Sequence, residues 1–303
     1  MLKFIETTAA NHKAEIWFSG DIFHNHSILH VSVVNFWDKW FRRFNRNEMY
    51  VTCLLGNHDF GLVNKKNNAL VVYSKYANIV DEPQFDEKTK ILFMPYYGEA
   101  NSDQFVEDAN KYPANLIFMH DTVEGAQYEN GFYAPNGIKQ NKLNCPVLIS
   151  GHIHTPGVYG KTTYVGSPRW QTVSDANIDR HLYLYSFTGD GIITDIQKIQ
   201  ITPDICTPIV LLDDSEENPL NIKDLQGKTT VNLYGSKQYI ASKIEHYKEL
   251  GIKVRTFPIA EAKVSIKESD GVETAFYKFM SEWQAPNGTP PAILRDLYDR
   301  HGN

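Results

Sequence analysis

The chain is 303 residues long, 42% hydrophobic and 13% aromatic, with a net charge of −6. That supports one large domain, or a large and a small one, and excludes a disordered chain. The acidic balance excludes a protein that coats nucleic acid by bulk charge, but not one that grips it through a metal centre and a local Lys/Arg patch.

In chain order, Leu2, Ile5 and Ala9 share one helical face, so the chain is expected to open in a helix. "EIWFS", Glu15 to Ser19, reads as a buried strand, and a helix is expected from about Ile28 to Arg46. Its apolar stripe is Val33, Trp37, Trp40, Phe41 and Phe44, with Lys39, Arg42, Arg43 and Arg46 off the stripe. "YVTCLLG" is a strand ending at Gly56, and Asn67 to Tyr76 reads as helical. "KILFMP" and "NLIFM" are short buried strands with a polar helix between them, and "PVLIS" is another strand. Shorter alternating strands follow at Thr162 to Val165 and His181 to Phe187. The fold class expected is α/β, a β-sandwich flanked by helices, with a small α+β second domain.

A composition break lies at Thr202 to Asn221. Beyond it "KTTVNLYGS", a helix marked by Ile240, Ile244, Tyr247 and Leu250 and ended by Gly251, and "IKVRTFPI" form a strand–helix–strand unit. An amphipathic helix (Phe276, Phe279, Met280, Trp283), a Pro/Gly linker and "AILRDLYDR" close the chain. The expected domains are residues 1–203, 204–265 and a helical tail, 266–303. Cys53, Cys145 and Cys206 are scattered without a C-x-x-C pair, and no run of eighteen apolar residues or basic-then-apolar leader is present. Three buried free thiols in a soluble, cytoplasmic protein that does not span a membrane are expected.

Four apolar strands end in polar clusters: Asp21 after "WFSG"; Asn57, His58 and Asp59 after "CLLG"; His120 and Asp121 after "LIFM"; His152 and His154 in "ISGHIH". In open α/β sheets ligands gather beyond the carboxyl ends of the strands, so these segments are expected to converge. A carboxylate, an amide oxygen and imidazoles suit Mn, Fe or Zn better than Mg or Ca. Two such ions about 3.5–4 Å apart clamp a phosphoryl group and acidify a bound water. His58 suits charge stabilisation or leaving-group protonation, with Asp59 expected to orient its ring. Any one fragment alone is read more simply as a turn or a hydrogen-bonded structural histidine; their joint order argues for a site.

In that order the motifs resemble the calcineurin-like metallophosphoesterase superfamily, whose pattern is D-x-H, G-D, G-N-H-D/E, a lone His and G-H-x-H. Gly20-Asp21, Gly56-Asn57-His58-Asp59, His120 and Gly151-His152-Ile153-His154 match four of the five. "GDIFH", with His24, and "YVGSPRW" are similar to the SbcD-like nuclease subunit of the DNA double-strand-break repair nuclease–ATPase complex. The resemblance implies that Asp21 bridges two divalent ions, manganese in that family. Asn57, His120 and His152 complete one position, and His154 serves the other. His58 and His24 then support the leaving group or the phosphate. It further implies DNA as substrate, an SbcC-like ABC ATPase partner docking on the tail, a DNA-capping role for residues 204–265, and a homodimer. The Trp37/Trp40/Phe41 helix is core-facing on the simpler reading and a dimer contact on the family's.

No D-x-H precedes Asp21 in these residues. Either the chain is shortened at its N-terminus or it has lost part of one ion position. The expectation is one weak or empty position, an unpaired sheet edge and reduced nuclease activity. Two rival functions accompany the nuclease reading: a generic phosphoesterase of small molecules, and a metal-poor subunit that only binds DNA or its ATPase.

Overall fold

A computed structural model describes residues 1–24, 29–60, 67–128, 131–221 and 228–258. The chain divides into two compact units, one built on Met1–Leu211 and the other on the residues from Leu212 onward.

The first unit opens with α1 (Leu2–His12), β1 (Ile16–Phe18), α2 (Val31–Arg46), β2 (Val51–Leu54) and β3 (Asn78–Val80). The three strands form a parallel sheet in the order β1-β2-β3. β4 (Gln84–Asp86), β5 (Ile91–Met94), α3 (Ser102–Ala109), β6 (Leu116–Met119), β7 (Val147–Ser150), β8 (Gly157–Tyr159) and β9 (Thr162–Tyr164) follow. Their six strands make a second sheet, ordered β4-β5-β6-β7-β9-β8, parallel from β5 to β9 and antiparallel at both edges. β10 (His181–Phe187) and β11 (Ile193–Gln200) pair as an antiparallel hairpin.

Alternation along the central strands builds the layers. Leu92, Met94, Ile117, Met119 and Leu148 point to one face, where Phe105, Val106 and Ala109 of α3 cover them. Ile91, Leu116, Phe118 and Ile149 point to the other, against Leu54 and Val80 of the smaller sheet and the partly buried Trp17. Cys53 and Leu55 leave the far side of that sheet for a third cluster with Ala9 of α1 and Phe41 and Phe44 of α2. The result is helices, sheet, sheet, helix: an α/β sandwich, as the alternation of elements implies. Strands covered on both faces read as unbroken apolar runs, which is why "VTCL" and "LIFM" are buried at every position.

Phe41 is fully buried, with its ring 4.7 Å from that of Tyr73 and 5.7 Å from that of Trp37. Phe41→Ala is expected to cost about 3–5 kcal/mol of stability, measured by urea unfolding. The stripe on α2 is thus core-facing at Phe41 and Phe44, whereas Val33 and Phe36 are exposed.

The structure differs from the sequence expectation in several places. Within Asn67 to Tyr76 only a 3-10 turn, Val71–Tyr73, forms; the Asn68 side chain caps the Leu70 N–H at 3.0 Å, an alternative to helix that asparagine offers the backbone. β3, β4, β8 and β11 are additional strands, three of them only three residues long. The composition break is not a plain linker, because it contains β12 (Ile209–Ser215). Cys53 and Cys145 are buried free thiols, but Cys206 is only half-buried.

The second unit holds the sheet β12-β13-β14, with β13 (Lys228–Gly235) parallel to β14 (Lys253–Pro258) across α4 (Lys237–Glu249). Ser236 caps α4 by accepting from the Tyr239 N–H, and Gly251 follows its end with φ 70°. Asp214, fully buried, accepts from the hydroxyls of Tyr239 (2.9 Å) and Tyr247 (2.6 Å). The closing helix and "AILRDLYDR" lie outside the described residues. Among the described residues, no helix is long and apolar enough to cross a membrane.

Candidate metal centre

The carboxyl ends of β1, β2, β6 and β7 meet at one place. Asp21, His120 and His152 bring their donor atoms within 4.8 Å of one another. The His120 Nε2 lies 3.3 Å from Asp21 Oδ2, 3.2 Å from Asn57 Oδ1 and 3.2 Å from His152 Nδ1. The last two are 3.0 Å apart. Donors bonded to one ion at about 2.0–2.2 Å lie about 3.0–3.5 Å from each other, so the spacing fits a single cation.

The hydrogen bonds sharpen that fit. His120 Nδ1 faces the Ser19 carbonyl and donates to it, which turns Nε2 toward the cluster. Such a backbone partner for the second ring nitrogen is the usual support of a ligating histidine. A neutral His120 then presents a bare lone pair to a carboxylate, an amide oxygen and a second imidazole. A positive charge placed among them suits that arrangement.

In the metal-free protein a proton on His120 supplies that charge at pH values below its raised pKa. Burial lowers the His120 pKa, but the hydrogen bond to Asp21 and its charge overcome this and raise it above the ordinary histidine value. Burial also works against the Asp21 charge, yet the His120 hydrogen bond and charge, with the His58 N–H, hold it down at about 2. Burial and then the His120 charge depress His152 to about 3, leaving it neutral and ready to donate. Below that raised pKa an incoming ion must displace the His120 proton. Metal affinity is expected to rise about tenfold per pH unit below the His120 pKa and level off above it, with about one proton released per ion. Calorimetry of Mn2+ binding across a pH series, in buffers of different ionisation enthalpy, checks this; binding that stays proton-neutral with no pH dependence down to the acid end of the series would contradict it.

Backbone shape serves the site as well. Gly20 (φ +96°) is packed so closely on the His120 ring that a Cβ there would collide with Nδ1. Asp21 and His152 both hold positive φ, 55° and 70°, a conformation uncommon outside glycine and concentrated at functional sites. Among the described residues β1 pairs with β2 alone, and its other edge borders a cavity of about 1150 Å3 that reaches Asp21, His120, His152 and His154.

Asp59, expected beside the His58 ring, meets the backbone. Its two oxygens accept backbone N–H groups of Asp21 (2.8 Å), Phe23 (3.0 Å) and Gly56 (2.9 Å). Asp59 thus ties the loop after β1 to the loop after β2, and the His58 ring is held instead by donation from Nδ1 to the His24 carbonyl at 2.7 Å. The His24 and His58 rings stack 5.6 Å apart, nearly parallel. His154 stands outside the cluster of Asp21, His120 and His152.

Tyr96 is a site residue that the motifs do not mark. Its ring stacks on His152 (5.7 Å) and meets His120 edge-on (6.1 Å). It lies two residues after the end of β5, "ILFM", beyond Pro95, so the rule that functional residues follow strand ends would have found it. Asp121, also buried, holds that loop by accepting from the Tyr97 N–H (2.7 Å) and the Gly98 N–H (3.2 Å).

A two-sheet α/β sandwich whose strand ends gather carboxylate, amide and imidazole donors has the makings of a metal-dependent enzyme. The calcineurin-like phosphoesterase family matches residues 1–156, and the chain belongs to that family. No curated protein matches it.

Proposed function

We propose that the chain is a metal-dependent DNA exo/endonuclease subunit of the SbcD-like branch, cleaving phosphodiester bonds in partnership with an SbcC-like ABC ATPase in DNA repair or recombination. The observation that carries the reading is the His24–His58 stack beside Asp21. It sets two imidazoles next to the cluster, where charge on a phosphate must be stabilised and a leaving group protonated. Asp21, Asn57, His120 and His152 would hold one ion, and His154 a second. Manganese suits this mixed N/O donor set. When bound, the ions polarise the phosphoryl group. The residues bind, orient and move protons around it.

Residues 204–265 are read as the DNA-capping domain and 266–303, all of which lies outside the described residues, as the ATPase-docking tail. The exposed apolar Val31 and Phe36 of α2, with Val71 and Val72, support a homodimer. The buried free thiols Cys53 and Cys145 fit a reducing, cytoplasmic setting.

The test is Mn2+-dependent degradation of duplex DNA ends, set beside turnover of a chromogenic phosphodiester. Turnover of the small ester without cleavage of DNA would replace the nuclease reading with the generic one.

A further inference from the structure

We infer that Arg180 is a positioning residue for His154, acting through the main chain of the G-H-I-H segment. This rests on the reading above that His154 belongs to the metal centre. Arg180 and Asp175 are both fully buried, with Nη2 2.7 Å from Asp175 Oδ1. Burying such a pair is expensive, and apolar residues of the same volume are often no less stabilising. Among the described residues the Arg180 Nε has no hydrogen-bond partner, which adds to that cost.

What the pair does is geometric. Arg180 Nη1 donates to the carbonyl oxygens of His154 and Ser167, the second at 3.3 Å. The second Asp175 oxygen accepts from the N–H groups of Gln171 and Thr172, both at 2.8 Å. The rigid guanidinium fork therefore joins the turn after β7 to the turn after β9.

The same carbonyl of His154 also accepts the Ser167 N–H at 2.9 Å. Gly166 (φ +69°) lies so close that a Cβ there would sit 2.7 Å from it. This accounts for the "VGS" turn, which the proposed chemistry leaves unused. His154 needs such support because no sheet ladder sets its backbone: it lies between β7 and β8, two residues after a histidine with φ 70°. Held at its carbonyl from two sides, its side chain has a fixed origin.

The experiment is a double-mutant cycle on Mn2+ affinity, measured by calorimetry on the full chain, with circular dichroism as the check on fold. Arg180→Met is expected to weaken Mn2+ binding about 10–100-fold, and Arg180→Lys to restore part of the loss. In a His154→Ala background, Arg180→Met should change the affinity no further. Affinity within about twofold of wild type in a folded Arg180→Met protein would overturn the inference. So would a full, additive loss in the His154→Ala background. If Arg180→Met does not fold, Arg180→Lys alone and with His154→Ala is read by the same criteria. A wild-type chain that binds Mn2+ but is insensitive to His154→Ala would overturn the role of His154, and this inference with it. Loss of sensitivity to Arg180 alone would overturn only the inference.

Discussion

Replacing His120 by alanine is expected to abolish tight Mn2+ binding and lower phosphoester turnover by about three orders of magnitude or more, matching the several kcal/mol a bound ion contributes. The size follows from position. His120 is 1% exposed, and its Nε2 lies within 3.3 Å of Asp21, Asn57 and His152 at once. No other described side chain occupies the centre of the cluster in this way. Alanine removes the ligand and also the hydrogen bond and charge that hold Asp21 at about 2. Calorimetry and a steady-state assay measure the two losses. Circular dichroism separates them from unfolding, since the side chain is also packed beside Gly20. Near wild-type affinity in a folded His120→Ala protein would remove the cluster from consideration as a metal centre.

His58→Ala is expected to lower kcat by about 10²–10³ while leaving Mn2+ affinity within about twofold. The two effects separate because His58 takes part in two ways. Its backbone N–H donates to Asp21 Oδ1 at 2.9 Å, a contact that alanine retains. Its ring lies outside the Asp21–His120–His152 group and is held by the His24 carbonyl and stacked on the His24 ring. Losing the ring therefore removes proton transfer and charge stabilisation without removing a ligand. Retained turnover would remove the His58 ring from the chemistry, whereas absence of metal-dependent turnover in the wild type as well would favour the rival in which this subunit only binds DNA or an ATPase. A parallel fall in affinity would mean instead that the ring acts on Asp21.

Where the sequence succeeds, the reason is local. The strands before Asn57, His120 and His152 are covered on both faces, so they appear as short apolar runs that end at the ligands. The helices α1, α2 and α4 carry apolar periodicity over three turns or more, and Gly251 closes the last of them in the left-handed region. The three-residue strands β3, β4 and β8 are too short to show any period, and β12 is hidden in a segment rich in Pro, Asp and Glu.

By itself, then, the sequence determined the class of fold, the order of the motifs and the donor types Asp21, Asn57, His120 and His152, because strand runs and side-chain chemistry are properties of neighbouring residues. Only the tertiary structure decided which atoms face one another. The His120 ring is oriented by a carbonyl 101 residues away, at Ser19. Asp59 bonds the backbone 36 and 38 residues earlier rather than the histidine beside it. Tyr96 packs on His152, and Arg180 bonds the His154 carbonyl, through contacts that no motif spells out. Buried polar groups must find partners wherever the fold provides them, and that choice is made in space.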